Sequence, residues 1–286
     1  MSEFTNALEQ FINSKADGEA THKSPIQLIF NQLYIPSKQL LFHLIPSPSR
    51  SISPQEQYIL QNLSLKAAEQ NIQLIHIFED IWHTHQPIVS SRIAALLGCF
   101  TRIHARKTTV KRISKPELDG FLNTNHLNGS PTAKYKYGVF DDNKLVAAAS
   151  FSAGRPIQRN GVTYRSYELV RFANLTGFVV AGGLGKLLSH FIEEVNPDDI
   201  MSYADLDWST GRSYQLLGFK QYEATPPQAF WLHLQSRQRY YPHKLPSDLV
   251  EAFHRQKNSD LALFLEQNGY LRIFNSGNIK YLLIRK

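Results

Sequence analysis

The 286-residue chain holds a single cysteine, Cys99, and two methionines. One thiol excludes an intrachain disulfide and a cysteine-rich zinc site, and it fits a reducing compartment. No apolar run reaches the length of a membrane span, and the N-terminus lacks the basic-then-apolar order of a secretory signal. The expectation is a soluble, cytoplasmic protein with no membrane partner. Carboxylates are scarce early on, with none between Glu19 and Glu56. Internal repeats and low-complexity tracts are missing. What remains is ordinary for a globular chain, 42% hydrophobic and 19% charged. The length suffices for two compact units. A net charge of +7 favours a polyanionic partner over an acidic one.

Residues 1–20 join a short amphipathic stretch (Phe4, Leu8, Phe11, Ile12) to a polar run, and read as a marginal helix in a flexible segment. Ile26 to Ile45 is strand-like, broken by Pro36 and ended by the Pro46–Arg50 loop. A helix from Pro54 to Gln70, a buried strand from Ile72 to Phe78 and a helix from Pro87 to Leu97, stopped by Gly98, complete a first domain. The basic, alternating stretch Thr101 to Ile113 reads as a strand entering a second.

The densest pattern runs from Glu168 to Phe219. Tyr167–Ala173 alternates as a half-buried strand does. Ala181-Gly182-Gly183-Leu184-Gly185-Lys186 opens a helix whose Leu187, Leu188, Phe191 and Ile192 recur at helical spacing. Asp199–Asp205 reads as a second strand, and Ser209–Leu217 as a helix stopped by Gly218. A helix N-terminus offers unbonded N–H groups and partial positive charge to a phosphate, and glycines permit close approach. The plain alternative is a tight strand-to-helix turn that binds nothing.

This order resembles the second half of the GNAT acetyltransferase fold. The resemblance implies an acyl-coenzyme A cofactor (acetyl-CoA or another acyl-CoA) and no metal. Its pyrophosphate would lie on Gly182, Gly183, Leu184, Gly185 and Lys186, and its thioester beside the strand backbone up to Phe172. Tyr214, in Tyr214-Gln-Leu-Leu-Gly-Phe219, matches the family tyrosine that protonates the departing thiolate. Val180 stands where the family usually has Gln or Arg.

A wider resemblance runs from about Gln32 to Lys280. Ile75–Trp82, Ile88–Ile93 and Leu97-Gly98 look like the end of a Vsr-like nuclease domain, as in phage homing-endonuclease-like proteins that carry a GNAT-like domain behind it. Asn125–Ser130 and Asn268–Lys280 match the same proteins, and the second domain also resembles the Mom DNA-modification group. The implied fold class is α/β (α+β), a degenerate restriction-endonuclease-like small domain followed by a GNAT-like mixed-sheet domain. The expected partition is a flexible 1–20, a nuclease-like 21–98, an acyltransferase-like 99–235, and a basic linker with a β-hairpin extension over 236–286.

Nuclease activity is expected to be absent. Such enzymes need clustered carboxylates around Mg²⁺. Here Tyr34-Ile-Pro-Ser37 follows Gln32 and Leu33, where the family has an aspartate, and His43 falls near the family glutamate. Glu79 and Asp80 read as a solvated turn, and His83 with His85 as surface features without a third ligand.

For acyl transfer, three groups compete as the base. Asp205 ends a strand and ranks first, although an aspartate there also caps helices. His126, in a loop, ranks second because an unshifted imidazole suits proton transfer near neutrality. Glu168 ranks third, facing the cleft or pairing with Arg171. Arg237, Arg239, Tyr240 and Lys244 interleave cations with aromatics, and with Arg102, Arg106 and Lys107 they form the expected nucleic-acid surface, DNA being the expected partner. Tyr270–Ile284 reads as a hairpin around Gly277. The leading expectation is an N-acyltransferase acting on a nucleobase or another nucleic-acid-associated amine. A non-catalytic DNA-binding module and a protein or small-amine acetyltransferase are the alternatives.

Overall fold

The computed structural model describes residues 2–256 and 260–285. They pack into two units that are interleaved along the chain. The first takes residues 1–86, 205–210 and 224–278, and the second takes 87–204, 211–223 and 279–286. This differs from the linear partition expected from the sequence, because the first unit recruits two later segments.

The first unit opens with helix α1 (Glu3–Lys15), capped by Ser2, whose Oγ accepts from Thr5 N. Phe4, Leu8 and Ile12 are buried, so 1–20 is not the flexible segment expected. Apolar side chains four apart form one helical stripe, and here that stripe has a core to meet. Strands β1 (Gln32–Ile35) and β2 (Leu40–Ile45) pair antiparallel. Helix α2 (Ile59–Glu69) follows, and strand β3 (Gln73–Phe78) then lies parallel to β2. Helix α3 (Glu79–Leu97) begins eight residues earlier than expected and kinks at His85, two residues before Pro87.

Two buried imidazoles lie side by side on β2 and β3. His43 Nδ1 is 2.9 Å from His76 Nδ1, and His76 Nε2 is 2.9 Å from Ser64 Oγ on α2. Burial pushes the His43 imidazolium down to about 4, and burial with the neighbouring ring pushes His76 down as well.

The second unit is built on an eight-stranded mixed sheet. The chain passes through β4 (Thr101–His104), β5 (Thr109–Arg112), α4 (Lys115–Asn125), β6 (Tyr135–Asp141), β7 (Lys144–Phe151), β8 (Arg155–Arg159) and β9 (Val162–Asn174). Then come β10 (Phe178–Ala181), α5 (Gly183–Val195), β11 (Asp199–Asp205), α6 (Arg212–Leu216) and β12 (Lys220–Ala224). The chain next supplies the first unit with β13 (Ala229–His233), β14 (Gln238–Tyr240), α7 (Ser247–Arg255), α8 (Leu261–Gln267) and β15 (Tyr270–Phe274) before closing with β16 (Asn278–Ile284).

The large sheet has the order β12-β16-β11-β9-β7-β6-β5, with β8 alongside β9. β9 and β11 run parallel, joined by the crossover helix α5. Phe191 of α5 stacks on Phe151 of β7 with ring centroids 4.0 Å apart, and both are fully buried. The mixed α/β class matches the expectation. The hairpin over Tyr270–Ile284 does not form: β15 pairs with β13 in a three-stranded sheet, whereas β16 lies between β12 and β11. Gly277 supplies the turn, but sheet membership is decided by which edges the two strands meet.

The histidine pair makes the first unit acid-sensitive. Both rings have folded-state values below the unfolded 6.5, so the unfolded chain binds more protons as pH falls below 6.5. Their contribution is complete above that value and is lost progressively towards pH 4. Urea midpoints should therefore fall between pH 7 and pH 4. In a His43→Leu/His76→Leu double variant the fall should be shallower, and an unchanged slope would contradict the assignment.

Candidate active site

The parallel ladder of β9 and β11 joins Ser166, Tyr167 and Glu168 to Asp199, Ile200 and Met201, and goes no further. Both strands continue, β9 to Asn174 and β11 to Asp205. On the other side of β9, Phe151 faces Leu169 while Ser150 faces Arg171, which leaves Val170 as a bulge. A bulge bends and twists its strand. Past the last rung the two strands run on without a shared ladder, a fork in the middle of the sheet.

Ser202, one residue beyond the last rung, bridges the base of the fork. Its Oγ lies 3.0 Å from the Leu169 carbonyl oxygen and 3.0 Å from the Tyr214 hydroxyl. Sequence reasoning missed Ser202, a small polar residue in an apolar strand with no spacing signal to mark it. Tyr214 is delivered by α6, whose start at Gly211 has φ +85°. A Cβ at Gly211 would lie 2.2 Å from the Tyr281 ring, so glycine is required both for the turn and for the close approach. The Tyr214 ring is flanked by Phe219 and Tyr281, each 5.5 Å away between centroids. Burial raises the phenol above its ordinary value, while Ser202 and the Arg171 charge act in the opposite direction. Tyr214 is consequently neutral near pH 7 and can donate a proton.

The glycine turn precedes α5. Gly182 holds φ +81° at the N-cap, with no side chain bonding the first-turn amides. At Gly183 a Cβ would meet the Val180 side chain at 3.0 Å, and at Gly185 it would meet Leu217 at 3.1 Å. Lys186 does not project freely from this turn. Its Nζ donates to the Ala105 carbonyl at 2.7 Å and also to the Thr108 carbonyl. The ammonium thereby ties the 105–108 turn, with exposed Arg106 and Lys107, to the first turn of α5.

The three candidate bases differ. His126 is half-buried, and burial, then the charges of Arg171 and Arg92, push its imidazolium down to about 3. Its Nδ1 accepts from Asn128 N at 3.1 Å. This corrects the expectation of an unshifted ring. Glu168 occupies the last rung of the ladder, half-buried. Phe172, half-buried on β9, faces Ala149 of β7. Asp205 belongs to the first unit, where its Oδ1 accepts from Asp207 N at 3.0 Å as a turn does. Burial and the Asp205 charge raise the Asp207 carboxyl to about 7.

The expected nucleic-acid residues are divided between the units. Arg102, Arg106 and Lys107 are exposed in the second. In the first, Lys244 is exposed and Arg237 stands in a turn at φ +56°. Arg239 is instead committed inward. Its Nε and Nη2 donate to Asp80 at 2.5 and 2.9 Å, and its guanidinium lies 4.4 Å from the Phe78 ring centroid. Tyr240 packs beside Trp231 and Tyr270. Asp80 is likewise buried, and Glu79 accepts from Ser47 N, so the pair is no solvated turn. Among the described residues no group of three or more His, Cys, Asp or Glu is placed to hold a metal ion. Nor is any described helix long and apolar enough to cross a membrane.

No family model matches the sequence, and no curated protein matches it significantly. Solved structures similar to this chain include a Bacillus subtilis acetyltransferase in complex with CoA, at 16% identity and a TM-score of 0.35, covering 63% of this chain and 100% of that one. A GNAT family acetyltransferase from Elizabethkingia anophelis with acetyl-CoA bound is 16% identical, with a TM-score of 0.33, covering 63% and 99%. An IAA acetyltransferase from Bacillus cereus is 12% identical, with a TM-score of 0.34, covering 62% and 99%.

The depressed His126 can be checked directly. Its ring proton resonances, assigned with His126→Ala, should stay at their neutral positions from pH 8 to pH 5. Titration near 6.5 would contradict the burial and the two arginine charges described.

Proposed function

We propose that the second unit is an acyl-coenzyme A-dependent N-acyltransferase of the GNAT type, whose acceptor amine belongs to a nucleic acid. The observation that carries this is the fork at Val170, with the Tyr214 hydroxyl seated on Ser202 at its base. Open strand edges past the last rung offer backbone groups to an amide-bearing chain, which can add to β9 as a short strand would. The thioester then lies against Leu169–Phe172, and the acceptor nitrogen attacks its carbonyl carbon. Tyr214 protonates the departing thiolate. Glu168, on the last rung, would take the amine proton.

The pyrophosphate would lie on the uncapped amides of α5. Lys186 would act there through backbone, by holding Arg106 and Lys107 beside the glycine turn. Those two cations would supply the charge that Val180 does not. The acceptor class is supported by the sign of the charges around the fork. The Arg171 guanidinium acts on both Tyr214 and His126, and Arg92 acts on His126. Cations beside the acceptor path favour a phosphate-bearing substrate.

A second reading, a nucleic-acid-binding module without chemistry, is favoured by the glycine turn itself. Val180 and Leu217 fill the space that Gly183 and Gly185 leave open, which explains both glycines by packing. Calorimetry with acetyl-CoA separates the two. Wild type is expected to bind, and Gly183→Asp to lose binding. Leu184→Glu should lose it as well, although an acid in the first turn of a helix stabilises the fold. Absence of wild-type binding would contradict the transferase reading and leave the binding module.

A further inference from the structure

The two hydrogen bonds of Ser202 are of unequal kind. A serine hydroxyl has one hydrogen, and a carbonyl oxygen only accepts. In both contacts the serine is the donor, so its single hydrogen serves either the Leu169 carbonyl or the Tyr214 oxygen at one time. Turning the Ser202 hydrogen onto the Tyr214 oxygen leaves the phenolic hydrogen for a ligand, at the loss of the Leu169 bond. Ser202 is 1% exposed, so water does not readily replace either partner.

We infer that Ser202 is a positioning residue acting as a two-position hydrogen-bond donor, resting on the Leu169 carbonyl and turning to the Tyr214 oxygen as that oxygen gives up its proton. The inference rests on the acyl-transfer reading of the fork. In the step, the Tyr214 O–H bond breaks and its proton forms an S–H bond with the departing thiolate. The bonding pair stays on the phenolate oxygen, which then accepts from Ser202. No further reactant is required. The arrangement separates two tasks: Leu169 fixes the serine at the base of the fork at rest, and the phenolate recruits it only when charge develops. A hydrogen bond that strengthens as charge appears lowers the barrier rather than merely tightening binding.

The test uses the full chain labelled with ¹³C at tyrosine Cζ, with the Tyr214 signal assigned by Tyr214→Phe. Ser202→Ala removes the donor, and Ser202→Thr keeps it. In Ser202→Ala the Tyr214 titration should move upward by about one pH unit or more, the worth of a hydrogen bond to a charged group. Ser202→Thr should return it to the wild-type position. A titration unmoved in Ser202→Ala, or not restored by Ser202→Thr, would overturn the inference even if acetyl-CoA binds. Calorimetry with acetyl-CoA on the same proteins keeps the failures apart. No wild-type binding would overturn the acyl-transfer reading, and proton delivery to a thiolate with it, whatever the titration shows.

Discussion

Two parallel strands that share three rungs and then separate are the constraint on which the second unit depends. Parallel strands need a crossover, and here α5 supplies it, with Phe191 locked against Phe151 beneath the sheet. The bulge at Val170 falls just past the last rung shared by β9 and β11. Backbone groups at mid-sheet must find partners. Ser202 fills part of that need at the Leu169 carbonyl. Tyr214 is placed there by a different element, α6, through a glycine start that no other residue fits.

The interleaving of the two units follows from the same sheet. β11 ends at Asp205, and the next residues serve the first unit: Asp207 accepts from Ser276 N at 2.9 Å and its backbone carbonyl accepts from His76 N at 2.8 Å. Gln61 of α2 donates to the carbonyls of Thr225 and Ser276. Residues 225–277 therefore enter between the last two strands of the large sheet, β12 and β16, yet complete the first unit. A cut near Gly98 would separate the N-terminal part of the first unit from its β13, β14 and β15. Arg239 gives this attachment an ionic component, buried against Asp80 and flanked by Phe78. Its worth lies in the cost of breaking it, since either charge left alone would be stranded.

Local signals in the sequence agree with the structure where the structure is local. Leu187, Leu188 and Phe191 mark α5 because they recur on one face, and Gly218 ends α6 at φ +85°. Where tertiary contacts decide, the same signals mislead. Two alternating strands around Gly277 look like a hairpin, because a turn is visible in sequence and a sheet assignment is not. Cations interleaved with aromatics around Arg239 look like a nucleic-acid surface, but a buried guanidinium on Phe78 has the same spelling. Lys186 in a first turn reads as a phosphate ligand until three-dimensional neighbours show its hydrogens spent on backbone carbonyls. His126 carries no sequence mark of burial or of the arginines acting on it. Tyr214 stands out in the sequence through its motif, whereas Ser202, whose Oγ lies 3.0 Å from the Tyr214 hydroxyl, carries no such mark.

Hydrogen exchange with and without acetyl-CoA tests the open fork most directly. Backbone amides past the last rung, within 169–173, are the ones a cofactor would newly cover, together with those of the α5 turn at 182–187. Protection is expected to rise in those two segments and to stay unchanged in β5, β6 and the first unit. Protection that rises elsewhere, or nowhere at saturating acetyl-CoA, would contradict the account of the fork as the place where an acyl donor lies.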